Sequence, residues 1–217
     1  MRRQTIIIGA PGTSATFLVG VDQDLANYPQ FLRSPSGGAW RDDEISVLRN
    51  PTWGELSQKL KRLESQADYS LVVFSGHGRT NPQTFTDYVL INDQEEIRVN
   101  QFRTRVPRQL VLFDACRSFP APSKNLVTEQ WQPLASSLSA AQARTQYGEA
   151  LNYSKPRYVV CKACEQGNAA ADTSTAACSP WLCWRARNNG LVHPDHSRCY
   201  QFKVPFLLRT PSLRATA

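Results

Sequence analysis

The chain has 217 residues, 41% of them hydrophobic and 20% charged, a composition that suits one folded domain with a single sizeable core. Lys and Arg outnumber Asp and Glu by 25 to 18, for a net charge of +7 at pH 7, which gives a weak general attraction to acidic surfaces. The basic residues are scattered, with no basic block and no nucleic-acid motif, so nucleic-acid binding is set aside as the main function.

The chain opens "MRRQTIIIGAPG", whose apolar run is only three isoleucines. That is too short for a secretory leader or a membrane span and predicts a cytoplasmic protein with no membrane association. Thiols stay reduced there, so Cys116, Cys161, Cys164, Cys178, Cys183 and Cys199 read as thiols or ligands before disulfides. "TIIIGAPG" is a buried strand ending in a Gly/Pro turn. "GAPGTSAT" has the look of a phosphate loop but lacks the closing Gly-Lys-Ser/Thr, so a turn is the better reading. "DQDLANYPQFLR" places Leu25, Tyr28, Phe31 and Leu32 at helical spacing, with Pro29 expected in the first turns or at a kink. "EISVL" reads as a short strand, and "PTWGELSQKLKRLESQ" as an amphipathic helix started by Pro51 and Thr52.

"YSLVVF" is a second buried strand, and "DYVLINDQEEIRV" a β-hairpin turning at Asn92-Asp93. "RQLVLFDACRS" repeats the pattern of a strand with a reactive tip. From Phe119 to Lys155 the composition turns small and polar, which predicts an exposed, weakly helical connector. "PRYVVCKAC" is a further strand, "PWLCWRARNNG" a helix, and "CYQFKVPFLL" a last strand, marked by Pro205 as a sheet edge. Strands alternating with helices predict an α/β fold with a mostly parallel sheet. In such sheets the chemistry gathers at the carboxyl ends of the strands.

Two motifs sit at such ends. "FSGHG" sets His77 between two glycines, and "LFDACRS" sets Cys116 just past a buried strand. Cysteine is the best side-chain nucleophile at neutral pH, provided a base makes its thiolate. A histidine on a neighbouring strand end can take the thiol proton and return it to a leaving amine. Glycines beside it let a substrate backbone approach and leave N–H groups for an oxyanion.

Together these motifs resemble the catalytic pair of the caspase-like cysteine proteases, in the metacaspase and bacterial caspase-like branch. "FLVGVDQDLANYPQFL" resembles the first helix of that family, "DDEISVLRNPTWGELSQKLKRL" the strand and helix before the histidine, and "YVVCKACEQGNAAAD" the smaller-subunit strand and loop. The resemblance runs from residue 4 to about 187. It implies a three-layer α/β/α sandwich with a mostly parallel central sheet, as one peptidase domain over 1–217. Residues 1–118 form a large-subunit-like part, 119–155 a connector loop and 156–217 a small-subunit-like part.

The resemblance also implies roles. His77 is the base and general acid, Cys116 the nucleophile, and the backbone amides of Gly78 and Cys116 the oxyanion hole. Asp24 and Asp114, with Ser75 beside them, line the pocket for the residue before the cut. Aspartate at 114, where true caspases carry glutamine, implies cleavage after Arg or Lys rather than after Asp. The substrate is then a protein or peptide, with a regulatory protein partner possible. Lys124, Arg144 and Lys155 become candidate self-cleavage points. Bacterial proteins of this kind often serve cell-death or antiphage defence. Metacaspases often need calcium, but no matching acidic cluster is present, so no cofactor is expected. Cys161, Cys164, Cys178, Cys183, His193, His196 and Cys199 could ligate zinc. Cys161 and Cys164, three apart in a strand, would face opposite sides, which argues against it. Trp181 and Trp184 read as core or cleft wall. The competing reading is a catalytically idle interaction module of the same fold.

Overall fold

The computed structural model describes residues 1–13, 15–115 and 138–163. Among the described residues eight strands and three α-helices follow in order: β1 (Arg3–Ala10), α1 (Val19–Arg33), β2 (Ile45–Arg49), α2 (Trp53–Gln66), β3 (Tyr69–Gly76), β4 (Gly78–Thr80), β5 (Asp87–Leu90), β6 (Glu96–Arg98), β7 (Arg108–Ala115), α3 (Ala140–Tyr153) and β8 (Arg157–Lys162). Five strands form one sheet in the order β2-β1-β3-β7-β8, and β4-β5-β6 form a small second one. Every pairing in the large sheet is parallel.

The central strands β1, β3 and β7 are buried on both faces, which is why they are continuous apolar runs. Ile6, Ile8, Val72, Phe74, Val111 and Phe113 face Leu56, Leu60 and Leu63 of α2. Ile7, Leu71, Val73 and Leu112 face Tyr28 and Leu32 of α1. Thr52 caps α2: its hydroxyl accepts from the Glu55 N–H while Glu55 bonds back to the Thr52 N–H. The small sheet has the expected hairpin, closed where the Asn92 side chain accepts from the Gln94 and Glu95 N–H groups at 2.9 and 2.8 Å.

Two expectations change. Helix α1 begins at Val19, three residues earlier than its apolar spacing suggested, so Pro29 falls well inside it rather than in its first turns. Residues 140–153, expected as an exposed and weakly helical connector, are a regular helix with only Ala143 buried, started by a Ser139–Gln142 capping box and anchored through Tyr147, whose hydroxyl donates to the Ser36 carbonyl. The strand "CYQFKVPFLL", the helix "PWLCWRARNNG", Trp181, Trp184 and Lys124 lie outside the described residues.

A buried charge cluster fastens α3. Glu44 and Arg3 are each 2% exposed. Arg144 of α3 grips Glu44 bidentately at 2.6 and 2.8 Å, and the Arg3 guanidinium lies 3.6 Å from the same carboxylate. Arg3 also donates to the Gly38 carbonyl at 3.1 Å and stacks over Trp40. Arg144 is therefore engaged in a helix, which removes it as a self-cleavage point. Burial alone would push the Glu44 carboxyl up. Hydrogen bonds from Arg144 and from the Arg41 N–H, with the charges of Arg3 and Arg144, outweigh that and hold it below its usual range.

A carboxyl depressed in the folded state stabilises fully above its unfolded value, about 4.3, and that contribution is lost as pH falls through the folded value. Chemical denaturation of Glu44→Ala at pH 7 is expected to show a loss of about 3 kcal/mol or more, because a buried guanidinium is left uncompensated. Glu44→Gln is expected to flatten the fall in stability below about pH 4.3.

Candidate active site

The large sheet reverses its direction of growth between β1 and β3. From β1 the chain crosses outward to β2, then returns past β1 to β3 and continues to β7 and β8. A crevice outside the carboxyl ends of the strands at such a reversal is the usual ligand site of an open α/β sheet. Ala10, Gly76 and Ala115 are partners in one row across β1, β3 and β7, and each is the last residue of its strand. The chain leaves that row at Pro11, His77 and Cys116. Cys116 and its amide lie outside the described residues.

His77 is held from both sides. Its carbonyl accepts from the Leu90 N–H at 3.0 Å, and its ring Nε2 lies 2.5 Å from the carbonyl oxygen of Thr16, in the loop after β1. A carbonyl only accepts, so Nε2 carries the proton and Nδ1 is the basic nitrogen of the neutral ring. The loop is a compact turn, with the Thr16 N–H donating to the Thr13 carbonyl at 2.9 Å and the Leu18 N–H to the Pro11 carbonyl at 2.8 Å. This is the turn expected for "GAPGTSAT".

Glycines make the close approaches. Gly12 has φ +84°, and a Cβ there would sit 2.9 Å from His77 Nε2 and 2.9 Å from Thr16 Oγ1. A Cβ on Gly76 would meet the Ala10 carbonyl oxygen at 2.6 Å. A Cβ on Gly9 would collide with Leu25 at 2.7 Å, so that glycine lets α1 lie against β1 closely enough for its polar residues to reach the next strand.

Asp24 of α1 makes use of that approach. The Ser75 hydroxyl on β3 donates to Asp24 Oδ2 at 2.6 Å. Asp114 on β7 is the register partner of Ser75, so the two side chains leave the same face about 4.8 Å apart at the backbone. Asp24 and Asp114 are each 2% exposed and Ser75 is fully buried. The three residues expected to form a pocket are therefore gathered around Ser75, on the α1 side of the strand ends.

Gly78 opens β4, paired with Val89. The flanking contacts, His77 carbonyl to Leu90 N–H and Asn81 N–H to Thr86 carbonyl, make 77 and 81 hydrogen-bonded positions of an alternating antiparallel ladder. Gly78 then falls at a non-bonded position, its N–H turned away from β5. The end of β8 is tied to the hairpin by an ion pair of Lys162 with Asp87. Among the described residues no group of three His, Cys, Asp or Glu side chains could hold a metal ion, and no helix is long and apolar enough to cross a membrane. Cys161 is buried against the α1 side, and burial pushes its thiol up. The other six zinc candidates lie outside the described residues.

The caspase domain family matches residues 2–191. The chain belongs to the caspase-domain family. No curated protein matches it in sequence. Among solved structures, caspase-1 from Spodoptera frugiperda is similar at a TM-score of 0.52 and 12% identity, over 86% of this chain and 69% of that one. That likeness concerns the fold, a caspase-type α/β sandwich with a mostly parallel central sheet, as the sequence motifs implied.

The loop carbonyl of Thr16 and the close-packed Gly9 and Gly12 were not singled out as site residues in the sequence, whereas Gly76 was, as a glycine flanking His77. A backbone carbonyl leaves no mark on residue identity, whereas Gly9 and Gly12 in "IIIGAPG" were legible as turn residues only. In its neutral form His77 is expected to be the Nε2–H tautomer, measurable from the 15N shifts of its ring. Gly12→Ala, which crowds Nε2 and strains a left-handed φ by about 1–3 kcal/mol, is expected to displace the ring from Thr16 and mix the tautomers. An unchanged tautomer signature in that variant would remove Gly12 from the account.

Proposed function

We propose that the protein is a cysteine endopeptidase working through His77 and Cys116 and cutting after Arg or Lys. The observation that carries this reading is the shared row of strand ends. Cys116 is bonded to Ala115 and His77 to Gly76, and those two partners sit on adjacent strands. The Cα atoms of His77 and Cys116 are thus no more than about 12 Å apart, within reach of a thiol–imidazole contact. The ring presents its basic Nδ1 because Nε2 is engaged by Thr16.

In the reaction, Nδ1 takes the Cys116 thiol proton and the thiolate sulfur adds to the scissile carbonyl carbon. The oxyanion is met by the Gly78 N–H, which its ladder position leaves outside the β5 pairing, and by the Cys116 N–H. Collapse breaks the C–N bond while the imidazolium returns its proton to the leaving nitrogen, giving an acyl-enzyme and a free amine. Water, deprotonated by the same Nδ1, then hydrolyses the thioester and regenerates the thiol.

Asp24 and Asp114 flanking a buried serine suit a cation. A guanidinium relieves the repulsion of two carboxylates and offers paired N–H donors to their oxygens, whereas a substrate carboxylate meets like charge, at several kcal/mol on the order expected for such juxtaposition. The defence role and a regulatory partner rest on family association alone. The competing reading, an idle binding module, predicts no privileged thiol.

Cys116→Ala is expected to abolish peptide cleavage and His77→Ala to reduce it by a comparable several orders of magnitude, because the two act as a unit. Near-normal turnover by Cys116→Ala would overturn the dyad. Reporter peptides ending in Arg or Lys are expected to be cut at least a hundredfold faster than those ending in Asp or Leu, with Asp114→Ala erasing most of the difference. Faster cleavage after Asp or Leu would overturn the specificity. An electrophilic arginyl peptide is expected to modify Cys116 far ahead of the other five cysteines. Uniform labelling favours the binding module.

A further inference from the structure

Six large hydrophobic side chains are exposed among the described residues, and two of them, Phe17 at 42% and Val19 at 52%, belong to the loop that clamps His77 and to the first turn of α1. Phe17 is bonded to Thr16, whose carbonyl contacts the His77 ring. Exposed apolar groups scattered singly are ordinary on a protein surface. A pair beside a catalytic imidazole is different, because substrate must pass it.

The chemistry fixes which part of the substrate passes. The general acid has to stand beside the leaving nitrogen, so the segment released as the amine lies on the His77 side of the cut. The buried Asp24–Ser75–Asp114 group is already suited to the residue on the other side of the bond. Residues 12–21, "GTSATFLVGV", carry no charge, so this stretch itself offers apolar contact and no ionic side chain.

We propose that Phe17, with Val19, forms the subsite for the first residue after the scissile bond and selects a bulky apolar side chain there. The inference rests on the proposed dyad and deepens it: the enzyme reads a basic residue before the cut and an apolar one after it. Phe17 acts by touching substrate, not by holding His77, which is fixed through the Thr16 backbone.

The test uses the full-length chain and three peptides identical except for Leu, Ser or Asp after a common Arg. The wild type is expected to cleave the Leu peptide about tenfold faster than the Ser peptide in kcat/KM, the discrimination of a partly open apolar site, and the Asp peptide slowest. Phe17→Ser is expected to bring Leu and Ser within about twofold of each other, and Phe17→Leu to keep most of the preference. Equal cleavage of all three peptides by the wild type overturns this inference alone, as does a preference that survives in Phe17→Ser. No turnover of any peptide, together with no alkylation of Cys116 by an arginyl chloromethyl ketone, overturns the protease reading and this inference with it.

Discussion

Three adjacent parallel strands end on one row, and the site is assembled from the residues immediately beyond it. Because parallel strands in register all run the same way, Ala10, Gly76 and Ala115 deliver their next residues to a single edge of the sheet. The reversal of sheet growth between β1 and β3 then opens the crevice there, since the chain departs in opposite directions from the two strands. The strong apolar pairing of the sheet therefore does two jobs: it builds the core and sets the spacing of the functional groups.

Close approach comes from missing side chains. Gly9 admits α1 to the sheet, Gly76 lets β3 end tight against β1, and Gly12 leaves room for the His77 ring beside Thr16. Each removes one carbon where packing would otherwise hold the groups apart. The result is a histidine whose free rotation is lost and whose tautomer is chosen by one backbone oxygen. The group facing Nε2 is a backbone carbonyl and not a carboxylate. It orients the ring without adding a charge.

The buried charges divide into two groups with opposite logic. Glu44 sits between two guanidiniums and is over-compensated, a structural arrangement that ties α3 to the β1 side of the domain. Asp24 and Asp114 are gathered around Ser75 at the carboxyl ends of β3 and β7. Arg3 and Glu44 in the one and Asp24 and Asp114 in the other are equally buried, so burial alone does not separate them. Their location does: one lies at the amino end of β1, the other at the carboxyl ends of β3 and β7.

The amino-acid sequence by itself determined the alternation of buried strands and amphipathic helices, because apolar runs such as "TIIIG" and "LVVF" and the Thr52 cap are local signals. It also marked His77, Gly78, Asp114 and Cys116 through motifs short enough to be read directly. The start of α1 was not legible from apolar spacing, and 140–153 was legible only as weakly helical, since "LVGV" and "AAQARTQYGEALNY" carry weak periodicity and their helices pack against β1 and the Pro35–Gly37 turn. Only the tertiary structure decided that Ser75 binds Asp24, that Glu44 binds Arg144 a hundred residues away, and that the Thr16 carbonyl clamps His77. Those contacts join segments far apart in the chain, and the last uses a backbone atom common to every residue, which no residue type announces.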